Sequence, residues 1–163
     1  MKPQMSSDQE ERDAADVRIP PPVLYLATVV VGVVLHWLWA LGFARGSSLR
    51  IALGLALICG GVAILGSAFS VFRRIGQHPD PRKPTPVVAR DGPYRFTRNP
   101  MYLAGSLVQL GLGIALGNAW IVLLLVPVVV LLHYRAILPE ERYLEGKFGD
   151  EYTSFKASVR RWI

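Results

Sequence analysis

The chain has little charge for its size. Of its 163 residues only 18% are Asp, Glu, Lys or Arg, against 52% apolar, a balance unlike that of a water-soluble domain of this length. Cysteine is nearly absent. Cys59 stands alone, which excludes an intrachain disulfide framework and a multi-cysteine zinc site, and its place inside an apolar block predicts a small buried hydrophobe. The three histidines, His36, His78 and His133, share no ligand-type spacing, so no metal is expected. A basic start followed by an apolar core is also missing: residues 6–16, "SSDQEERDAAD", are acidic and polar, unlike a signal peptide. Residues 1–18 are expected to form a loosely ordered cytoplasmic tail, ahead of one domain over residues 19–163.

What charge there is leans positive, +6 net. In a soluble protein that excess would suggest nucleic acid. Here the basic residues flank apolar blocks, so the expected partner is a lipid bilayer and not nucleic acid.

Four apolar runs predict an all-α integral membrane protein. The first covers about residues 22–44, long enough for a bilayer core of roughly 30 Å, with Trp37 and Trp39 toward one end. The second, about 49–72, is rich in Gly and Ala, which suits close helix packing, and ends at Arg73-Arg74. The third and fourth, about 101–117 and 119–138, are separated only by Asn118 and so predict an antiparallel helical hairpin. Pro127 should kink the fourth. Between the second and third runs lies a proline-rich loop with room for short strands near "TPVVARDGPY" and a turn at Asp91-Gly92.

After residue 138 the pattern changes. Leu144, Phe148, Tyr152, Phe155, Val159 and Trp162 recur at steps of three and four, an apolar stripe on a helix that Gly149 breaks in two. Basic residues fall between them, as in a helix lying on a membrane surface or on the loop above it. Of the eighteen Lys and Arg residues, three lie in the N-tail and two in the first loop. Seven lie in the second loop, none at the hairpin tip, and six from Arg135 onward. With four spans, the positive-inside rule places both termini and the second loop in the cytoplasm, the spans crossing an inner membrane.

Two polar motifs meet at that side. "GPYRFTRNPMY" holds Arg98, a capping Asn99, and Pro100 at a first helical position. "PEERYLE" reads as a helix start, Pro139 leading and Glu140-Glu141 at the positive end. Carboxylates at a membrane border call for a cationic partner, either Arg98 or a ligand. His133 and Tyr134 lie one to two turns before Glu140. Within the spans, His36 and Gln109 are polar, Gly111 and Gly113 form "GLG", and Gly113 with Gly117 has GxxxG spacing. These fit helix packing; the glycines also fit a ligand lying against bare backbone.

In this order — "GPYRFTRNPMY", a hairpin with "GLG", "EE", "KFGDEYTSF", "VRRWI" — the motifs resemble the isoprenylcysteine carboxyl methyltransferase family, especially its short bacterial members. They are also similar to the phospholipid N-methyltransferases, which share the Gly-x-Gly and Glu-Glu elements. The resemblance covers about residues 65–163. It implies S-adenosylmethionine as methyl donor and a lipophilic acceptor. The family's Arg-His-Pro-x-Tyr corresponds to Arg98, Asn99, Pro100 and Tyr102, with Asn99 replacing His. An Asn donates hydrogen bonds but does not serve as a base near neutral pH.

On this reading Arg98 and Glu141 are the catalytic candidates. The cofactor-binding set is Tyr94, Arg98, Asn99, Pro100, Tyr102, Gly111, Gly113, His133, Tyr134, Glu140, Glu141 and Tyr152. A sulfonium is favoured by carboxylates and tyrosine faces, an amino-acid carboxylate by an Arg fork, and adenine by an apolar slot. Other readings are an NADPH-dependent reductase of the sterol-reductase type, drawing on Arg90, Arg95, Arg98, Arg160 and Arg161, and a non-enzymatic membrane scaffold.

Overall fold

The computed structural model describes residues 20–43, 47–78 and 85–162; the tail expected over 1–18 lies outside them. Four long helices form the body: α1 (Pro21–Leu38), α2 (Ser48–Ile75), α3 (Pro100–Leu116) and α4 (Ala119–Phe148). A short helix, α5 (Asp150–Ser158), follows. Among the described residues there is no strand. Instead of strands, the loop before α3 holds a 3-10 turn over Gly92–Arg95, entered through Gly92 at φ +58°. An isolated bridge joins Gly42 to Asn118. The protein is thus an all-α membrane protein. Helices α1, α2 and α4 are long and apolar enough to cross a bilayer, and α3 is slightly shorter. Large side chains such as Leu26, Val30, Leu53 and Val126 point outward, as apolar groups do when the surrounding solvent is lipid.

The tightest packing joins α2 to α3, neighbours in space across the long loop. Gly54, Gly61 and Ala68, spaced by seven, are all buried on α2. They face Ala104, Val108, Gly111 and Ala115 of α3. A Cβ on Gly54 would come within 2.6 Å of the Gly111 carbonyl oxygen, and one on Gly61 within 2.8 Å of the Ala104 oxygen. A seven-residue repeat of small residues keeps one face toward the partner and lets the backbones close up.

Helix α1 is tied in by polar contacts. Tyr25 donates to the Tyr102 carbonyl oxygen at 2.8 Å. Thr28 donates to Gln109 Oε1, and Gln109 Nε2 donates to the Ile121 oxygen. Gln109 is therefore a buried tie between helices. His36 likewise makes a local contact, with the Leu41 carbonyl oxygen. Asn118 caps α4 by accepting from Ile121 N–H and donates to the Gly32 oxygen.

Cys59 departs from expectation: it is exposed on α2, on the side away from α3, where lipid covers a free thiol as readily as a protein core would. Helix α4 departs further. The sequence places a helix end at Leu138 and a new start at Pro139, yet the helix runs on to Phe148. An α-helix is broken by proline because the ring clashes with the carbonyl four residues back and the N–H is lost. Here residues His133–Ile137 form a wider π turn, with the Leu138 N–H bonded five residues back to the His133 oxygen. This turn relieves the clash at Pro139. Farther up, α4 is interrupted at Leu124, three residues before Pro127, where the Leu123 carbonyl has no α-helical donor.

Candidate active site

At about 1.5 Å per residue, the 30-residue α4 is near 45 Å long, longer than a ~30 Å hydrocarbon core. Its last turns, after Leu138, therefore stand clear of the span. The loop before α3 and the short α5 fold around them, and the basic amphipathic segment packs on the loop. Arg98 N–H donates to the Arg160 carbonyl oxygen at 3.0 Å. Thr97 Oγ1 and Asn99 Nδ2 both donate to the Arg161 carbonyl oxygen. Asn99 does precede α3, with Pro100 first in the helix, but its side chain makes no cap hydrogen bond; the amide is spent on the C-terminal strap.

The two glutamates are in unlike surroundings. Glu141 is only 4% exposed. Arg161 grips both its oxygens, Nε to Oε1 at 2.9 Å and Nη2 to Oε2 at 2.8 Å. Arg98 Nη2 stands 3.3 Å from Oε1. Two guanidiniums on one buried carboxylate compensate its desolvation, which a single poor contact would not do. Glu140 has no such partner: among the described residues its side chain is hydrogen-bonded only by the Tyr102 hydroxyl, which donates to Oε2 at 2.9 Å. Burial pushes its carboxyl up to about 7, the adjacent Glu141 charge adds to the rise, and the Tyr102 hydrogen bond opposes it. Burial, reinforced by Glu140, also raises the Tyr94 phenol well above its ordinary value. Burial raises that of Tyr152 likewise. Both therefore stay neutral.

These groups line one crevice. Its walls are Phe72, Gln77, Thr85, Val87, Val88, Ala89, Tyr94, Arg98, Asn99, Glu140, Glu141, Leu144, Tyr152 and Phe155. Phe72 and Tyr94 stack with centroids 5.5 Å apart. Two buried polar atoms on these walls lack a partner among the described residues, Arg98 Nε and Gln77 Oε1. Most of the sequence-derived set thus converges: Tyr94, Arg98, Asn99, Glu140, Glu141 and Tyr152 on the wall, Tyr102 behind Glu140, and Pro100 buried beside Asn99.

Four residues of that set lie elsewhere. Gly111 faces Gly54 and Ile58 of α2, and Gly113 faces Ile121 and Val122 of α4, so both serve helix packing. Gly117 ends α3 at φ +68°, so its GxxxG spacing with Gly113 forms no helix-pairing face. Tyr134 is 63% exposed, with His133 edge-on against it. In turn, sequence reading missed Gln77, and it named Arg161 only for the phosphates of a reductase cofactor, not as the partner of Glu141. Arg161 otherwise reads as one more basic spacer in an amphipathic stripe. Gln77 follows the Gly76 C-cap with no motif around it.

Residues 49–151 match the family model described as phospholipid methyltransferase. The chain belongs to the phospholipid methyltransferase family. An uncharacterized protein of Haemophilus influenzae is 41% identical over 63 residues, which cover 39% of this chain and all of that protein. No solved structure matches the chain. Membership of the phospholipid methyltransferase family makes this a membrane methyltransferase. The matched stretch runs from the start of α2 into α5, so it takes in Arg98, Glu140 and Glu141 and stops short of Arg161.

Proposed function

We propose that the protein transfers a methyl group from S-adenosylmethionine to a lipophilic acceptor that reaches the crevice from the bilayer. In this reading the crevice lies at the cytoplasmic face of a bacterial inner membrane, on the side where the basic residues gather. The observation that carries the proposal is Glu140, a partly buried carboxyl on the crevice wall that has, among the described residues, a hydroxyl for company and no cation. A ligand with a fixed positive charge supplies the missing partner, because a sulfonium cannot lose its charge as an amine can. The residues around it fit the rest of that ligand. Tyr94 and Tyr152 stay neutral and offer ring faces to a cation. The unpartnered Arg98 Nε suits a carboxylate or hydroxyl of the ligand.

The bound donor supplies an activated methyl. The chain's own residues hold and orient. Glu141, held by Arg161, fixes Arg98 in place, and Glu140 faces the cationic centre. Tyr102 holds Glu140 in its rotamer. Placing donor and acceptor in line within a dry cleft is the main contribution such a site makes. A phospholipid amine is the acceptor that the family favours; a prenylcysteine carboxylate is the one that the sequence motifs favour. The carboxylate needs no base. The amine sheds a proton, for which Asn99 is no base.

Calorimetry on the detergent-solubilised protein with S-adenosylhomocysteine and with NADPH tests the reading. Binding of S-adenosylhomocysteine is expected. Binding of NADPH alone would overturn methyl transfer in favour of reduction, and binding of neither would favour a scaffold.

A further inference from the structure

Among the described residues, three buried side-chain atoms lack a hydrogen-bond partner: Arg50 Nε, Arg98 Nε and Gln77 Oε1. Two of the three line the same crevice, and they are of opposite kind, one donor and one acceptor. A buried polar atom without a partner is destabilising, and in native structures it is few and explained. A ligand with an acceptor at one end and a donor at the other would satisfy both.

We infer that Gln77 reads the adenine of the methyl donor, its Oε1 accepting the 6-amino N–H while the base lies in the apolar part of the crevice. The inference rests on the cofactor reading above. Local structure aims the side chain. Gly76 ends α2 in the left-handed conformation at φ +69°, which only glycine adopts readily. The chain turns back there, and Gln77 N–H bonds to the Phe72 oxygen at 2.9 Å. The amide nitrogen of Gln77 is engaged with Thr85 Oγ1 at 3.4 Å, and Thr85 N–H is bonded to the Tyr143 hydroxyl. The amide oxygen is left without a partner among the described residues, on a side chain that lines the crevice.

The walls near it suit a flat, largely apolar ring with polar edges. Phe72, Val87, Val88 and Leu144 line this part, and the Phe72–Tyr94 stack forms a planar side. The charged groups that would receive the amino-acid and sulfonium parts, Arg98 and Glu140, come from the loop before α3 and from α4 instead. A base with a donor on its edge fits an unpaired acceptor; the glutamine amide oxygen accepts the adenine 6-amino N–H in their familiar pairing, and here that is the half left open.

Calorimetry with two ligands on two proteins decides it. The ligands are S-adenosylhomocysteine and its analogue with purine in place of adenine, which lacks only the 6-amino group. The proteins are the wild type and Gln77→Leu, each checked by thermal melting. The wild type is expected to bind the purine analogue roughly five- to tenfold more weakly, the worth of one buried hydrogen bond. Gln77→Leu is expected to bind both ligands alike, at about the weaker affinity. Equal binding of the two ligands by the wild type overturns the inference, as does an unchanged preference in Gln77→Leu. Failure of the wild type to bind S-adenosylhomocysteine at all overturns the cofactor reading and this inference with it. Should Gln77→Leu fail to melt cooperatively, Gln77→Met takes its place, with the same expectation and the same overturning result.

Discussion

Arg161 and Glu141 lie twenty residues apart and meet through two parallel hydrogen bonds of 2.9 and 2.8 Å. This fork joins the C-terminal strap to α4, and it makes the two adjacent glutamates chemically unlike. Glu141 is neutralised from the protein side, and Glu140 is left to be neutralised by a proton or by a ligand.

Removing the fork should loosen the site. In Arg161→Ala, Glu141 keeps only Arg98, which must then swing toward it. Breaking a charge-assisted pair at a half-exposed position costs about 1–2 kcal/mol, or roughly 2–4 °C in melting temperature per kcal/mol for a chain of this size. Arg161→Lys keeps the charge and loses the planar fork, so it should recover only part of the loss. Thermal melts of the three proteins, with and without S-adenosylhomocysteine, check this.

Glu140 should impose a pH dependence on the ligand-free protein. Its folded value of about 7 lies above its ordinary 4.5. Below 4.5 the group is protonated whether folded or not. Between 4.5 and 7 the folded state holds a proton that the unfolded state has released, so stability falls as pH rises through this window. Glu140→Gln should be more stable than wild type at pH 8 and lose that slope. Melts from pH 4.5 to 8 measure the difference.

A fixed cation in the crevice should lower the Glu140 value and release its proton. S-adenosylmethionine should therefore bind more tightly at pH 8 than at pH 6. S-adenosylhomocysteine, whose sulfur is uncharged, should show much less change. Calorimetry in two buffers of different ionisation enthalpy reads the released proton. Equal proton release for both ligands would contradict the placement of the sulfonium beside Glu140.

Tyr102→Phe removes one hydroxyl, the donor to Glu140. Without it the carboxylate form loses support, and the pH at which S-adenosylmethionine binding rises should move upward. Binding of the uncharged S-adenosylhomocysteine should change less.

The α2–α3 contact should tolerate no bulk. Gly54→Val places methyl groups where even a Cβ would lie 2.6 Å from the Gly111 oxygen, and overpacking of this kind costs about 1–3 kcal/mol or more. Gly60→Ala, on the open side with nothing within 4 Å, should be neutral or slightly stabilising. Size-exclusion profiles and melts of the purified variants compare them.

The spans, the Asn118 turn and the Gly149 break were legible because each depends on local signals: apolar length, an Asn cap, a glycine at positive φ. Arg98 and the Glu-Glu pair were legible as a site because topology brings them to one end. The pairing of α2 with α3 was harder, since the repeat Gly54, Gly61, Ala68 has meaning only once its partner is known. The course of α4 through Pro139 was misread because proline normally ends a helix, and nothing local announces the π turn that accommodates it. Gln77 carries no motif, and the "VRRWI" that holds Arg161 does not say what its guanidinium meets; both roles come from residues brought near by the fold.

That π turn has a consequence for how the family is to be aligned. Its i→i−5 bond holds one residue more than an α turn does. A relative one residue shorter within His133–Ile137 could close the turn to the ordinary i→i−4 pattern and still present both carboxylates to the same side. One residue lost from the regular helix on either side has no such outlet and would rotate the pair by about 100°. The place to allow a gap is therefore inside the π turn, and a relative gapped elsewhere in this helix can keep both glutamates and lack the site.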